Sequence, residues 1–208
     1  MCIRDRARLV RRCGDDELRL LEPIDDGFVT GGYDGRVRRW RRDPGAPVEL
    51  ARLAGRAHVV RPSPDGALLA IGGDLGDARV VDRVGALVAS TTMTGDAQLA
   101  AWTDDGAHLV VGDDRGAVWA WPRTGGAGRA LVGPTVGLES LATAADGRSV
   151  VVGDNAGGVW RWPLAEPGPA LTARIPGGQV VAVWTDGDRV AAVGSDGVVH
   201  RWRVVAGG

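Results

Sequence analysis

The chain has 208 residues, of which 44% are hydrophobic, and its formal net charge is −1 at pH 7. This size suffices for one domain with a substantial core, and 33 glycines with 11 prolines are typical of a turn-rich all-β protein. The near-zero charge provides no global field for nucleic acid or membranes, so we expect neither as a partner. Two cysteines, Cys2 and Cys13, are too few for a disulfide framework. No apolar stretch reaches the ~18 residues of a membrane span and no signal-peptide core is present, which predicts a cytoplasmic location.

A glycine lies five residues ahead of an aromatic or apolar residue at nearly constant intervals along the chain. Successive glycines are separated by 41, 40, 41 and 40 residues. A period between roughly 20 and 50 residues is typical of repeat architectures. The five pairs are Gly35 with Trp40, Gly76 with Val81, Gly116 with Trp121, Gly157 with Trp162, and Gly197 with Trp202.

The repeats predict the same strands in the same order. In the first repeat, the turn-forming pair Asp26-Gly27 precedes an apolar run, and a glycine-rich turn at 31–35 leads into a strand at 37–40. Two strands joined by so few residues form an antiparallel hairpin. A weaker strand follows at 48–53, and a run before the next Asp-Gly pair, such as 98–102, supplies a fourth. Each repeat is therefore predicted to be a four-stranded antiparallel meander.

Stacking solves a burial problem for these sheets, because a single four-stranded sheet cannot bury both of its faces. Radial stacking buries each face against a neighbour and produces a β-propeller. The sequence therefore predicts an all-β propeller of about five four-stranded antiparallel blades with a repeat period of 40–41 residues. The eight tryptophans are expected to pack between blades, with Trp102 and Trp184 at equivalent ends of first strands. The blades are predicted near residues 14–53, 54–93, 94–133, 134–176 and 177–208.

The repeat resembles that of the WD-repeat β-propeller family over about residues 18–204. The resemblance is carried by Ser-Pro-Asp-Gly at 63–66, Leu-Leu-Ala at 68–70, the glycine turn and strands ending in Val-x-x-Trp. Family members often have Gly-His before the first strand and Trp-Asp after the third, whereas here Arg41 and Pro122 follow the aromatic. We therefore interpret the repeats as degenerate and bacterial-type, and expect the internal polar network of the blades to be largely missing. A quinoprotein-like propeller is the alternative by analogy.

Two hypotheses concern the extent of the chain. In the first, the chain is a fragment, because residues 1–6 resemble a translated remnant that is not native to the protein and because seven blades would need about 280 residues. In the second, residues 7–11 supply the outermost strand that the last repeat lacks, and five blades close a ring.

The sequence predicts no catalytic residue, metal or cofactor. His58, His108 and His200 lie in three different repeats without the spacing of metal ligands. Acidic turns lack the residue pattern of a calcium loop, and the glycine loop at 72–76 leads into no helix that could bind a phosphate. The arginine-rich stretch 36–42 is expected to be solvated or paired with acids such as Asp34, with docking of an acidic partner as the alternative.

The resemblance implies that partners bind on the rim formed by the turns between second and third strands and by the loops that lead into first strands. Residue types there vary between repeats while the scaffold is constant, as a recognition surface would require. This predicts a non-catalytic scaffold that binds a protein or peptide and belongs to a larger regulatory protein. The alternatives are a quinoprotein-like propeller that binds a small ligand, and a sensor module of a signalling enzyme. The candidate residues are Tyr33, Asp74, Asp114, Arg115, Asn155 and Ser195 in the turns and Arg56, Asp96 and Gln179 in the loops.

Overall fold

A computed structural model describes residues 17–43, 45–123, 128–165, 170–176 and 178–204. There the chain forms five antiparallel sheets, four with four strands and the fifth with three, and strands adjacent in sequence are adjacent in each sheet. The predicted all-β architecture is thus confirmed, while the predictions for residues 1–6, residues 7–11 and both cysteines lie outside the described residues.

The strands of the first sheet are β1 (Leu18–Ile24), β2 (Gly27–Gly32), β3 (Arg36–Arg41) and β4 (Val48–Arg52). Those of the second are β5 (Ala57–Pro62), β6 (Leu68–Gly73), β7 (Asp77–Asp82) and β8 (Leu87–Thr92), with a short 3-10 helix (Asp74–Gly76) between β6 and β7. The third has β9 (Ala97–Trp102), β10 (His108–Asp113), β11 (Val118–Pro122) and β12 (Arg129–Leu131). The fourth has β13 (Leu138–Thr143), β14 (Ser149–Asp154), β15 (Gly158–Pro163) and β16 (Leu171–Arg174). The fifth has β17 (Val180–Asp186), β18 (Arg189–Gly194) and β19 (Val199–Arg203).

The repeat glycine is required by the turn between the second and third strands of each sheet. Gly116, for example, has a φ of 95°, in the left-handed region that side chains disfavour. A Cβ atom there would also lie only 2.6 Å from the carbonyl oxygen of Val136. The glycine period therefore marks five equivalent tight turns.

The core lies between successive sheets. The first strand of each sheet packs on the first two strands of the sheet before it: β5 on β1 and β2, and β17 on β13 and β14. Between the third and fourth sheets, Val110 and Val118 form one cluster with Val150 and Trp162, all nearly inaccessible to solvent. Face-to-face burial of this kind stabilises sheets that could not be stable alone.

The prediction that Trp102 and Trp184 occupy equivalent positions at the ends of first strands is wrong. Trp102 is paired with Leu109 and faces the second sheet, where it is only 8% exposed. Trp184 is paired with Ala191, one residue away from the buried Val190, and its side chain is 51% exposed. A shift of one residue in a strand turns the side chain to the opposite face of the sheet. Trp184 therefore lies on the face of the fifth sheet that points away from the fourth sheet, which we call its outer face.

The expectation that the polar network of the blades is largely missing is also wrong. The buried carboxylate of Asp113 accepts hydrogen bonds from the Thr94 hydroxyl and the Gly95 N–H, both at 2.8 Å. Asp154 accepts a bond from the indole N–H of Trp160 at 2.8 Å. Aspartates at the ends of second strands thus replace the acceptors expected elsewhere in the repeat, and Asp113 satisfies the buried N–H of Gly95.

The arginine-rich stretch is paired, in agreement with the simpler of the two interpretations. Arg38 lies 2.6 Å from the carboxylate of Asp34, and Arg39 lies 2.5 Å from that of Asp26. Both arginine side chains are mostly buried, so a nearby acid is needed to offset the cost of desolvating the guanidinium groups.

Candidate functional site

One backbone hydrogen bond recurs in all five sheets and builds the rim. The first residue of each turn between second and third strands donates its N–H to the carbonyl of the loop leading into the first strand of the same sheet. The donor and acceptor pairs are Tyr33 with Glu17 (3.1 Å), Asp74 with Arg56 (3.0 Å), Asp114 with Asp96 (3.1 Å), Asn155 with Gly137 (2.9 Å) and Ser195 with Gln179 (2.9 Å). The structure therefore holds the nine candidate residues on equivalent turns and loops, and their role in binding remains a prediction.

The first three sheets join their rim residues into one continuous set, which we call the rim cluster: Tyr33, Arg56, His58, Asp74, Asp96 and Asp114. The Arg56 guanidinium lies 5.5 Å from the centroid of the Tyr33 ring, and its Nε is 3.0 Å from Asp74 Oδ2. His58 Nε2 is 2.5 Å from Asp74 Oδ1 and 3.9 Å from Asp96 Oδ2. Asp96 in turn donates its backbone N–H to Asp114 Oδ1 at 2.8 Å.

The charge of Asp74 is compensated within the rim cluster. Burial by itself raises the pKa of Asp74, but hydrogen bonds from the Arg56 guanidinium, the Arg56 backbone N–H and His58 more than offset this and hold the pKa well below its usual range. The same bond to Asp74 raises the pKa of Arg56. Asp74 is therefore a carboxylate at neutral pH, and it is bound to a permanent cation.

Asp96 and Asp114 are not compensated in this way. Asp96 Oδ1 accepts the backbone N–H of Leu75 at 3.0 Å, and Asp114 Oδ1 accepts that of Asp96. Among the residues that the structure describes, no arginine forms an ion pair with either carboxylate, and only His58 lies near Asp96. In the described residues, both carboxylates thus lie on the rim without a guanidinium partner.

Two members of this region were not identified from the sequence as functional residues. His58 has no metal-ligand spacing in the sequence, but it lies three residues after Gly55, whereas the Gly-His pair of the family would place a histidine directly after that glycine. Leu75 is 73% exposed and has a φ of 60°, which makes it the only non-glycine residue with positive φ in the described part of the chain. Leu75 could have been noticed in the sequence, because the equivalent positions of the other turns hold aspartate, arginine or alanine.

The other candidate residues lie on the rim outside the cluster. Arg115 and Asn155 are exposed, and so is Ser195, while Gln179 is half-buried. In the described ranges no side-chain hydrogen bond connects these four residues to the rim cluster. The structure therefore brings together five of the nine candidates and leaves four on separate parts of the same rim.

The geometry of the rim cluster favours ion pairing over metal binding. Ligand atoms of His58, Asp74 and Asp96 lie within 4.8 Å of one another. However, the Arg56 guanidinium already occupies Asp74 Oδ2, and a fixed cation beside a ligand opposes the binding of a second cation.

Comparison with known proteins identifies the class of fold. No protein-family model matches the chain, and no curated protein matches it. Among solved structures, Chaetomium thermophilum Sqt1 bound to the N-terminus of the ribosomal protein L10 is 22% identical with a TM-score of 0.77, and the match covers 90% of this chain and 59% of that one. The computationally designed Ika8 protein is 23% identical with a TM-score of 0.77, covering 92% and 59%. The WD40 β-propeller domain of Doa1 is 13% identical with a TM-score of 0.66, covering 87% and 61%.

These likenesses show that the chain has a WD40-type β-propeller fold. The chain spans about 59% of the length of the first two of these structures. In the part of the chain that the structure describes, no helix is long and apolar enough to cross a membrane.

Proposed function

We propose that this chain is a non-catalytic scaffold that binds a protein or peptide on the rim, and that it acts in the cytoplasm as part of a larger regulatory protein. The observation that carries the proposal is the rim cluster, in which side chains of different chemistry form one surface across three sheets. Tyr33 is 43% exposed at one end and Asp114 is exposed at the other. Sqt1, of similar fold, is known bound to the N-terminus of L10, which supports the proposal by analogy.

The rim is held in place before any partner binds. Each of its turns is short, follows a strand that packs in the core, and is bonded to the neighbouring loop through the recurring backbone hydrogen bond. A preorganised surface loses little conformational entropy on binding, so a larger share of the contact energy becomes affinity.

The arrangement around His58 supports a binding role over a catalytic one. His58 and Asp74 form a hydrogen-bonded pair like the base and orienting acid of a catalytic triad. In the described residues, however, the hydrogen bonds to Asp74 come from Arg56 and His58 only, and no hydroxyl or thiol is bonded to the histidine. The pair has an orienting acid and no nucleophile.

Selection from a random peptide library on the immobilised chain tests the proposal, followed by affinity measurements on the selected peptides. We expect Tyr33→Ala to weaken binding by about tenfold, as the loss of an aromatic contact does. Asp188→Asn is the matched control, because Asp188 lies in the turn between β17 and β18, at the opposite end of a sheet, and pairs with Arg203 there. Selected peptides that bind both variants as tightly as the unmodified chain would refute rim binding, and so would a library that yields no binder.

A further inference from the structure

The fifth sheet ends at a free edge, unlike the other four. In each of those sheets the third strand is paired with an antiparallel fourth strand, whereas β19 is the last strand of the fifth sheet in the residues that the structure describes. Alternate N–H and C=O groups of an edge strand point outward, and such an edge can pair with an added strand. The backbone of β19 is therefore open to an extended segment.

The side chains along this edge are exposed where their counterparts are buried. Val159 in the fourth sheet is 3% exposed, and its cross-strand neighbour Ala173 packs with it against the fifth sheet. Val199 has the equivalent position, two residues after the repeat glycine, and it is 53% exposed. The position that a fourth strand covers in the other sheets is thus uncovered in the fifth.

The crevice between the fourth and fifth sheets is also open. It has a volume of about 200 Å³ and is lined by Val190 and Trp202 of the fifth sheet. The corresponding space between the second and third sheets, lined by Leu109 and Trp121, holds two cavities of about 10 and 20 Å³. His200, stacked on Trp202, has a buried Nε2 atom with no hydrogen-bond partner in the described ranges. The fifth sheet therefore has room, and an unpaired polar atom, for side chains of a further strand.

Arginines give this edge a positive charge. Arg201 is exposed on the outer face and forms no ion pair among the described residues. Arg203 lies on the same face, and its one ion pair in this part of the chain is with Asp188 at 3.2 Å. Like charges that face each other destabilise paired strands, which disfavours pairing with β19 of a second copy, or with residues 7–11, two of which are arginines. The charge favours an acidic occupant instead.

We propose that the free edge of β19 binds an extended acidic segment of a partner protein as the fourth strand of the fifth sheet. In the antiparallel direction of the other fourth strands, this segment places acidic residues opposite Arg203 and Arg201 and an aliphatic residue opposite Val199. Cross-strand pairs of opposite charge and of apolar residues stabilise the added strand. A threonine opposite His200 has the position of Thr172 in the fourth sheet and brings a hydroxyl to the face with the unpaired nitrogen. This surface is separate from the rim cluster, so the inference goes beyond the proposed function.

Two fluorescein-labelled peptides test the proposal by fluorescence anisotropy. Both have the segment Glu-Ala-Glu-Thr-Leu between Gly-Ser flanks, and glutamine replaces both glutamates in the control peptide. We expect the glutamate peptide to bind about fivefold more tightly, with a difference that shrinks as salt is added. Arg201→Glu should abolish this preference. Arg42→Glu, a change at an exposed arginine after β3 in the first sheet, should retain it.

Amide hydrogen exchange shows where the peptide binds. An added strand accepts hydrogen bonds from the outward N–H groups of β19, so their exchange should slow by about tenfold with the glutamate peptide bound. Tyr33→Ala, on the rim, should leave the affinity unchanged. Equal affinity for the two peptides, no binding of either, or binding without slower exchange in β19 would overturn the proposal.

Exchange in the absence of peptide tests the other possible occupants of the edge. Fast exchange in β19 is expected, because the edge is then unpaired. Slow exchange would overturn the proposal, and sedimentation would then identify the occupant. A dimer would assign the edge to a second copy, and a monomer would assign it to the chain's own residues 7–11. Peptide binding on the rim would stand in either case.

Discussion

Replacing Trp162 by alanine tests whether the sheets pack as described. Trp162 is 1% exposed between the third and fourth sheets, and its indole N–H donates to the Val132 carbonyl at 3.1 Å. Trp184 provides a control with the same substitution, because its side chain lies on the outer face of the fifth sheet and is 51% exposed.

The two burial values give the expected magnitudes. A tryptophan side chain buries roughly 200 Å², which at about 25 cal/mol per Å² corresponds to about 5 kcal/mol for Trp162→Ala. This is an upper estimate, and tryptophan-to-alanine changes in cores cost about 3–5 kcal/mol. For Trp184, with half of its surface in water, the same calculation gives about 2.5 kcal/mol.

Urea denaturation followed by far-UV circular dichroism measures both changes. We expect the free energy of unfolding to depend on urea concentration with the same slope in the unmodified chain and in both variants. The urea midpoint should then fall much further for Trp162→Ala than for Trp184→Ala, because the midpoint scales with the free energy of unfolding. If Trp184→Ala destabilised the chain as much as Trp162→Ala, the assignment of these residues to inner and outer faces would be refuted.

Three further predictions concern stability. Asp113→Ala should cost about 3 kcal/mol in urea denaturation, because the buried Gly95 N–H and the Thr94 hydroxyl both lose their acceptor. Asp113→Asn should cost less, since the amide oxygen still accepts, and equal losses would contradict this role. The lowered pKa of Asp74 means that its contribution to stability is full above about pH 4 and is lost as the pH falls through the folded-state pKa. Below about pH 4, the melting temperature of Asp74→Asn should therefore decrease less steeply with falling pH than that of the unmodified chain. Identical dependence on pH in the two proteins would contradict the role of this carboxylate. Gly116→Ala should be more destabilising than Gly187→Ala by about 1 kcal/mol or more in the same assay. A Cβ at Gly116 would lie 2.6 Å from the Val136 carbonyl oxygen, whereas a Cβ at Gly187 would have no heavy atom within 4 Å. Equal losses would show that the turn relaxes.

Local features of the sequence were sufficient to predict the sheets. The interval of 40–41 residues between Gly35, Gly76 and their successors marked the turns, and each apolar run between turns became a strand. The predicted strand at 98–102, for instance, agrees with β9 to within one residue. Such signals are readable because a hairpin is defined by residues close together in the chain. Placement of candidate residues on the rim followed from the same turns.

Strand register and contacts between side chains that are distant in the sequence were not readable in this way. The face that Trp184 occupies depends on a register one residue away from that of Trp102, and the bond between His58 and Asp74 joins residues 16 positions apart across a strand and a turn. The approach of His58 to Asp96 depends on how the second sheet stacks on the third. The sequence by itself therefore determined how many sheets form and where their turns lie, because these depend on local chain geometry. Only the tertiary structure decided which faces are buried and which rim residues meet, because these depend on strand register and on packing between distant segments.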